Sequence, residues 1–527
     1  MSPNPSSRVN TTDKINIFNN HGQTNQTMRV AELFAGVGGF RLGLEGLPEN
    51  SDDGDFRVIW ANQWEPASSR QHAAEIYAKR WSMECDEEDP EIFTNGPEDS
   101  LVNKDIATVP VSDIPEHDLL CGGFPCQDYS VARTRSGEMG IKGEKGKLWT
   151  QIKRIIQDSP IRPKLIFLEN VPRLLNSPAQ QRGLNFMVIL NDLLNLGYDV
   201  EWRVINASDY GMPQQRRRTF FIAYRRPTKT TFYRNGPGVF GPRIRTRGPM
   251  SKWLTGNETP RANPEWSKGP FAEAFPINGE LGESKIELPD LLEYPWSGAT
   301  SPFANAGYAW QDNQKTPKRW LWTFKAEPKY NGDRLTLSDI IVDEHDSEYE
   351  ITDKEKLRMY SYIKGVQKEW RIRKADRGIA EGINASEGNL WILYQRCTKG
   401  YDPQLWTESL DNPAYKEGRK LGIIYDYTAG AMAYPDPLDK PSRTVVTAEI
   451  GRSVSRMRHV IEFEKGKLRR LMPLELERLN MFPDNWTEHE NTSPSRRGFL
   501  MGNALVVGIV KKLAGPLAKV IRDGSEQ

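Results

Sequence analysis

From residue 28 to residue 226 the chain alternates short apolar segments with longer amphipathic ones, and this alternation limits the fold more than any other feature. Five segments have the length and the β-branched and aromatic content of buried strands: MRVAELFAG, FRVIWANQW, HDLLCGGF, PKLIFLEN and RTFFIAY. Helical stretches such as KLWTQIKRIIQD and NFMVILNDLLNLG lie between them. The pattern predicts a parallel, doubly wound α/β sheet that binds its ligands at the carboxyl ends of the strands.

The bulk composition is that of a soluble globular protein, with 27% charged and 37% hydrophobic residues. A chain of 527 residues is too long for a single compact core and predicts about two or three domains. No apolar run approaches the roughly 18 residues that span a bilayer. The four cysteines at irregular spacing favour a reducing compartment over a disulfide framework. We therefore expect a cytoplasmic protein with no membrane segment.

Composition also marks the boundaries along the chain. Residues 1–27 are rich in Asn, Ser and Thr and predict a flexible N-terminal tail. The alternation of strands and helices stops after Arg226, and residues 227–440 are dense in Pro, Gly, Trp and charge. Regularity returns at residues 467–483, and an apolar helix is predicted over 503–521. The middle region predicts a second domain whose fold the sequence does not define.

Two features suggest a nucleoside-bearing cofactor. The segment ELFAGVGGF (32–40) is a Gly-rich turn after the first strand, where the backbone can approach a ligand closely. It lacks the GxGxxG pattern, which argues against a dinucleotide pyrophosphate. The second strand ends in NQWEP (62–66), where Glu65 is placed to hold a ribose, and Gln63 and Trp64 offer a hydrogen bond and a stacking face.

The segment GGFPCQDYS (122–130) places Cys126 just beyond the end of the third strand. Packing is the ordinary role of a single cysteine, and metal binding lacks a nearby His or Cys at ligand spacing. The position at the strand end favours a nucleophile, whereas Cys121, inside the strand, is predicted to pack in the core.

Three charged residues are predicted at the same edge of the sheet. Glu169 ends the strand of FLENVP, where a carboxylate after apolar residues needs a partner. The stretch PQQRRRTFF puts Arg216 and Arg218 two residues apart, so that on a strand both share a face. A turn acid and ordinary surface basicity are the simpler explanations for each residue alone.

Together these residues resemble the DNA (cytosine-5) methyltransferases of bacterial restriction-modification systems. The matching blocks run from residue 31 to about residue 510, in the order ELFAGVGGFRLGLE, NQWEP, NKDI, GGFPCQDYS, GKLW, FLENV, PQQRRR, RRLMPLELERLNMFPD and MGNALVVGIV. A long variable region separates PQQRRR from RRLMP, as in the family. Pro-Cys, Glu-Asn-Val and Gln-x-Arg-x-Arg in this order are highly specific.

The resemblance implies an α/β fold with a Rossmann-like, S-adenosylmethionine-dependent methyltransferase domain (a doubly wound sheet) and a large irregular target-recognition domain. The implied parts are a tail (1–27), a catalytic and cofactor-binding domain (28–228), a target-recognition domain (229–468), a hinge (469–502) and a C-terminal helix that completes the catalytic domain (503–527).

The resemblance also implies the cofactor, S-adenosylmethionine, and its contacts. The residues expected to bind it are Phe34, Ala35, Gly36, Gly38, Gly39, Gln63, Trp64, Glu65, Asp105, Ile106, Pro125, Leu148, Asn503 and Ala504. Trp64 is expected to stack on the adenine and Asp105 to hydrogen-bond it. The family usually has Glu where this chain has Gln63, so either Gln63 makes a neutral version of the ribose contact or Glu65 compensates.

For catalysis the resemblance implies four residues: Cys126 as the nucleophile that attacks carbon 6 of cytosine, Glu169 and Arg218 as contacts to the ring, and Arg216 as electrostatic support. Further substrate contacts are expected from Phe124, Gln127, Ser130, Asn170 and Gln214. The basic, Gly-containing stretch 127–147 is expected to close over a base flipped out of the duplex. The expected partner is double-stranded DNA, with a cognate restriction endonuclease acting separately. A monomer is expected, with no bound metal.

Three other functions fit parts of the pattern. An RNA cytosine methyltransferase shares the scaffold, but relatives that modify transfer RNA usually have a short variable region. A catalytically silent DNA-binding protein of the same fold is disfavoured by the presence of Cys126, Glu169 and Arg218 together. A Rossmann-type oxidoreductase is disfavoured by the missing GxGxxG motif.

Overall fold

A computed structural model of the chain describes residues 27–49, 54–66, 68–124, 147–178, 181–226, 230–234, 240–244, 269–278, 283–287, 300–311, 318–352, 368–400, 403–428, 433–450 and 458–525. The strands are β1 (Met28–Leu33), β2 (Phe56–Asn62), β3 (Glu84–Cys85), β4 (Ile92–Thr94), β5 (Ser100–Val102), β6 (Leu119–Gly123), β7 (Leu165–Asn170), β8 (Tyr198–Asn206), β9 (Arg217–Arg225), β10 (Thr230–Arg234), β11 (Phe240–Ile244), β12 (Glu283–Glu287), β13 (Ala306–Gln311), β14 (Arg319–Phe324), β15 (Lys368–Ile372), β16 (Asn384–Ala385), β17 (Gly388–Asn389), β18 (Ile424–Thr428), β19 (Val460–Glu464) and β20 (Lys467–Arg470). The α-helices are α1 (Gly39–Glu45), α2 (His72–Arg80), α3 (Lys147–Asp158), α4 (Leu184–Asn195), α5 (Pro270–Ala274), α6 (Arg377–Glu381), α7 (Leu390–Gly400), α8 (Pro403–Ser409), α9 (Pro413–Lys420), α10 (Pro473–Leu479), α11 (Pro494–Asn503) and α12 (Val507–Ser525).

The centre of the main sheet is parallel, as predicted, and its strands run in the order β7-β6-β1-β2-β5. The fifth predicted strand, β9, is antiparallel to both of its neighbours, β7 and β8, which corrects the expectation of a wholly parallel sheet. The reason is the short connection between β8 and β9, because a parallel pair needs a crossover of a dozen or more residues. This reversal pairs Asn170 at the end of β7 with Thr219 near the start of β9.

The sheet continues past β8 into β13, β14 and β12, all antiparallel. These strands belong to the region predicted as a separate domain, so the sheet crosses the boundary drawn at residue 229. Aromatic packing explains the extension, because Tyr308 of β13 stacks on Trp322 of β14 with ring centroids 5.6 Å apart. At Gly307 a Cβ atom would overlap the ring of Trp202 on β8, so this close approach needs glycine.

The part between β15 and β18 has a core of its own. Helices α6 to α9 and these two strands bury a small cluster that includes Trp370, Leu390 and Cys397. The indole nitrogen of Trp370 donates a hydrogen bond to the Ser409 hydroxyl at 2.8 Å. This unit is therefore a helical insertion that the irregular sequence did not reveal.

The last helix begins later than predicted. Asn503 ends α11, and α12 starts at Val507 after a break at Ala504, whose backbone is extended. Asn480 stabilises the break, because its side-chain amide donates to the Met501 carbonyl at 2.8 Å and its own carbonyl accepts from Val507 N–H at 2.9 Å. Within the described part of the chain, no helix is long and apolar enough to cross a membrane.

A buried charged cluster lies beneath the Gly-rich turn. The guanidinium of Arg41 on α1 bonds both carboxylate oxygens of Asp99 at 2.8 and 2.6 Å and that of Glu45 at 2.9 Å. The neighbouring Glu32 on β1 is fully buried and accepts a hydrogen bond from the hydroxyl of Tyr77 at 3.1 Å. Burial raises the pKa of Glu32 to about 8, so its carboxyl holds a proton near neutral pH.

We predict that Arg41→Met destabilises the protein by about 3–5 kcal/mol, because it leaves two buried carboxylates without their cation. Thermal unfolding followed by circular dichroism measures the loss. The matched control is Arg377→Met, since Arg377 pairs with Glu381 on an exposed helix and such a pair contributes at most about 1 kcal/mol. Equal losses in the two variants would contradict the role given to the buried cluster.

Candidate active site

The edge where the parallel strands end carries a buried ion pair. The Arg218 Nε atom lies 2.9 Å from Oε1 of Glu169, and the two side chains are only 17% and 14% exposed. The antiparallel pairing of β7 and β9 brings them together, because residues 169 and 218 lie on adjacent strands at this edge. Burial raises the pKa of Glu169, and the charges of Arg218 and then Arg216 partly offset this. The result is a carboxyl that takes up a proton more readily than an ordinary glutamate.

Arg216 does not share a strand face with Arg218, contrary to what the spacing of the two residues predicted. Its side chain is buried, and its terminal nitrogens donate to the main-chain carbonyls of Val445 at 3.0 Å and Gly502 at 2.8 Å. The reason is that β9 begins only at Arg217, so the alternation of a strand does not apply to Arg216. Arg216 therefore joins the start of β9 to two distant segments, and its charge lowers the pKa of Glu169.

Two predicted substrate contacts, Gln214 and Asn170, are corrected in the same way. Gln214 is fully buried, donates to the Asn480 side chain at 2.8 Å and accepts from Val445 N–H at 3.0 Å. Asn170 is also buried, and its amide donates to the Phe124 carbonyl at 3.0 Å. An amide side chain offers both donors and acceptors, so it suits the joining of chain segments in the interior. Gln214 therefore joins its segment to Asn480 and Val445, and Asn170 joins the end of β7 to Phe124.

Strand β6 leads into the segment of the predicted nucleophile. Cys121 is fully buried in the core, and burial raises its pKa well above the usual range, as expected for a packing cysteine. At Gly123, paired with Glu169, a Cβ atom would lie 2.9 Å from Oε2 of that carboxylate. The carboxylate thus lies against the backbone that leads to Phe124. Pro125, Cys126, Gln127 and Ser130 are outside the residues that the structure describes.

The Gly-rich turn has the shape of a ligand cradle. Phe34 and Gly36 have positive φ angles of 54° and 58°, and a Cβ atom at Gly36 would meet nothing within 4 Å. Gly38, at φ 84°, leaves room for the Trp81 ring, which a side chain would overlap. Gln63 holds the turn in place by accepting the Gly36 N–H at 2.7 Å. The backbone conformation of the turn, held by Gln63, therefore creates the open space beyond Gly36.

Beside this space stands Trp64, which is 38% exposed at the end of β2. An exposed indole next to an open turn is suited to stacking on a flat ring. Glu65 does not point at a ribose, because its carboxylate forms an ion pair with Arg496 and accepts the Ala73 N–H at 3.3 Å. The expected compensation by Glu65 is therefore corrected: it anchors the strand end to α2 and α11.

The remaining predicted cofactor residues differ in exposure. Asp105 is half-buried and accepts the Ala107 N–H at 3.0 Å, whereas Asn503 is exposed at the end of α11. The others are Ala35, Gly39 and Ile106, which are buried, and Leu148 and Ala504, which are half-buried.

Sequence reasoning missed Arg496 and Trp486, whose indole donates to the Val37 carbonyl at 2.8 Å. Both act across more than 400 residues, a separation over which a single sequence carries no signal.

Comparison of the sequence with known proteins identifies the family. A model of the family described as C-5 cytosine-specific DNA methylase matches residues 28–519. The chain belongs to this family. It is 35% identical over 495 residues to the type II methyltransferase M.Sau3AI of Staphylococcus aureus, covering 94% of this chain and 96% of that one. It is 33% identical over 198 residues to M.HhaI of Haemophilus parahaemolyticus, covering 38% of this chain and 49% of that one.

As a member of this family, the protein is a DNA (cytosine-5) methyltransferase of the restriction-modification type that uses S-adenosylmethionine. The Gly-rich turn fits that cofactor, because it leaves open space beyond Gly36, and Trp64, next to Gln63 in the chain, exposes its indole. The resemblance seen in the sequence is confirmed at the level of family, reaction and cofactor.

We predict that Trp64→Ala weakens S-adenosylmethionine binding roughly three- to tenfold, because an aromatic stack contributes about 0.5–1.5 kcal/mol beyond its buried area. Calorimetric titration of the cofactor into the DNA-free enzyme measures the change. Trp64→Phe is the matched control and should recover most of the affinity. Unchanged binding by the alanine variant would contradict stacking at this position.

Proposed function

We propose that methyl transfer proceeds through a covalent bond between the Cys126 sulfur and carbon 6 of a flipped-out cytosine. The observation that carries this proposal is the buried Glu169–Arg218 pair, which lies against the backbone of Gly123. A carboxyl with a raised pKa beside a charged partner, at the edge where parallel strands end, is typical of a functional site. Gly123 precedes Cys126 by three residues in the chain.

In this mechanism the thiolate of Cys126 adds to carbon 6, which makes carbon 5 nucleophilic. Glu169 bonds N3 and the exocyclic amine, and in its protonated form donates to N3 as negative charge develops on the ring. Arg218 holds the O2 atom. Carbon 5 then accepts the methyl group, a base or water removes its proton, and the carbon–sulfur bond breaks to restore the thiolate and the aromatic ring.

S-adenosylmethionine supplies the methyl group as an electrophilic substituent of its sulfonium. Trp64 and the Gly36 turn would hold its adenosyl part, with Gln63 fixing the turn. A neutral Gln63 can serve where the family usually has Glu, because its carbonyl oxygen already meets the structural need of the turn.

The position of the substrate follows from the same edge. A base inside a duplex is out of reach and must be flipped out, at a cost of a few kcal/mol. We propose that residues 229–468, apart from the strands that extend the sheet, contact the DNA around the target. The predicted closing stretch lies outside the described residues, except for Lys147 at the start of α3.

We further propose that the enzyme acts as a monomer in the cytoplasm of a bacterium, and that a separate endonuclease cuts the unmodified sequence. The similarity to M.Sau3AI over 94% of the chain supports the bacterial modification setting. It also favours DNA over RNA as the substrate.

We predict that Cys126→Ser abolishes methyl transfer and leaves DNA binding within about twofold of wild type, because the hydroxyl is a far poorer nucleophile than a thiolate. Transfer of a labelled methyl group to duplex DNA and a gel-shift titration measure the two properties. The matched control is Cys121→Ser, which changes a packing cysteine.

With duplex DNA that carries 5-fluorocytosine at the target, wild type should form an adduct that survives denaturation, because fluorine at carbon 5 blocks the final elimination. Cys126→Ser should form none. Undiminished transfer by this variant would remove Cys126 as the nucleophile.

A further inference from the structure

An ion pair that the mechanism does not use lies next to the proposed cofactor wall. Glu65 directly follows Trp64 in the chain, and its carboxylate pairs with the guanidinium of Arg496 in the first turn of α11. The side chains of Glu65 and Arg496 are only 16% and 21% exposed. The two residues are 431 positions apart in the sequence. The pair therefore connects the segment that follows β2 to a helix near the C-terminus.

The chain on both sides of Trp64 is held by hydrogen bonds. On one side, Gln63 accepts the Gly36 N–H at 2.7 Å. On the other side, the amide side chain of Gln71 accepts the Glu65 N–H at 2.7 Å and donates to the Glu65 carbonyl at 3.1 Å. The bonds of Gln71 stay within the connection from β2 to α2. They hold the main chain of Glu65, whereas its carboxylate is held from a different part of the molecule.

Arg496 is itself well placed to serve as an anchor. Its N–H donates to the Ser493 hydroxyl at 3.3 Å, and its guanidinium carbon lies 4.7 Å from the centroid of the Phe499 ring. The other end of the same helix is fixed as well, because the Gly502 carbonyl accepts from Arg216 at 2.8 Å. The helix therefore fixes the Glu65 carboxylate on folding, before the cofactor binds.

We propose that Arg496 is a positioning residue for S-adenosylmethionine. Through Glu65 it keeps the chain at Trp64 in the conformation in which the exposed indole stacks on the adenine, so that less order must be gained on binding. This inference rests on the stacking proposed for Trp64. Because the charge of Arg496 is paired with Glu65, we expect Arg496 to act by position and not by repelling the positively charged sulfonium.

The test is calorimetric titration of the full-length, DNA-free protein with S-adenosylmethionine and with its demethylated product, S-adenosylhomocysteine. Arg496→Met should weaken the binding of both by about two- to fivefold, less than the loss of the stack itself, because both ligands carry the same adenosine. Arg496→Lys should recover most of the affinity, since an ammonium can still pair with Glu65. If Arg496 acted by charge, its removal would strengthen the binding of the cationic ligand alone, which would overturn the proposal.

The matched control is Arg522→Met. Arg522 of α12 pairs with Asp55, which precedes β2, so this variant breaks an ion pair between a C-terminal helix and the opposite end of the same strand. It should bind both ligands as wild type does, and a loss equal to that of Arg496→Met would contradict the inference. Thermal unfolding shows whether each variant folds. Should Arg496→Met not fold, Glu65→Met removes the other partner of the pair and is expected to give the same loss.

A double-mutant cycle with Trp64→Ala tests whether Arg496 acts through the indole. If it does, adding Arg496→Met to Trp64→Ala causes no further loss of affinity. A further loss as large as that in wild type, or wild-type affinity in Arg496→Met alone, would overturn this inference and leave the stacking of Trp64 standing. Wild-type affinity in Trp64→Ala would instead overturn the stacking, and this inference with it.

Discussion

The reversal of β9 against β7 is the constraint on which the catalytic edge depends. A parallel strand in this place would start at the opposite edge of the sheet and carry Arg218 away from Glu169. With the antiparallel pairing, Arg218 Nε and the Glu169 carboxylate meet at 2.9 Å beside the end of β6. Strands β6, β7 and β9 thus bring the Glu169 carboxylate and the Arg218 guanidinium to the end of β6. From there the chain leads to Cys126, the proposed nucleophile.

The reversed strand must also be held where it begins. Arg216 and Gln214 do this by bonding the main chain near Val445, and Arg216 also reaches Gly502. Ser442 adds to it, because its N–H donates to the Pro213 carbonyl and its carbonyl accepts from Gln215 N–H, both at 2.7 Å. The start of the strand that carries Arg218 is therefore fixed through Arg216 by residues more than 200 positions away. This explains why the polar residues of PQQRRR are divided between the site and the interior.

The sequence predicted the five principal strands of the catalytic part and helices between them, because buried strands and amphipathic helices have distinct periods. It also brought Glu169 and Arg218 to one edge through the rule that ligands bind where parallel strands end. It failed where a residue's partner is remote. Glu65 was predicted to bind the ribose, but its carboxylate forms an ion pair with Arg496. Gln214 was predicted to contact the substrate, but its side chain is buried. The strands β12 to β14 were missed because their pairing with β8 is a long-range choice that local pattern does not encode.

Glu169 is proposed to carry a proton when it bonds the base, and the pH dependence of single-turnover methyl transfer tests this protonation. Burial raises the pKa of Glu169 and the charge of Arg218 lowers it, so Arg218→Gln should raise that pKa further. A required proton is lost as pH rises through this pKa, and the rate should therefore fall on the alkaline side. Arg218→Gln should shift the alkaline fall in the rate to higher pH, and Glu169→Gln should abolish that fall. Alkaline limbs that coincide in wild type and both variants would contradict the account.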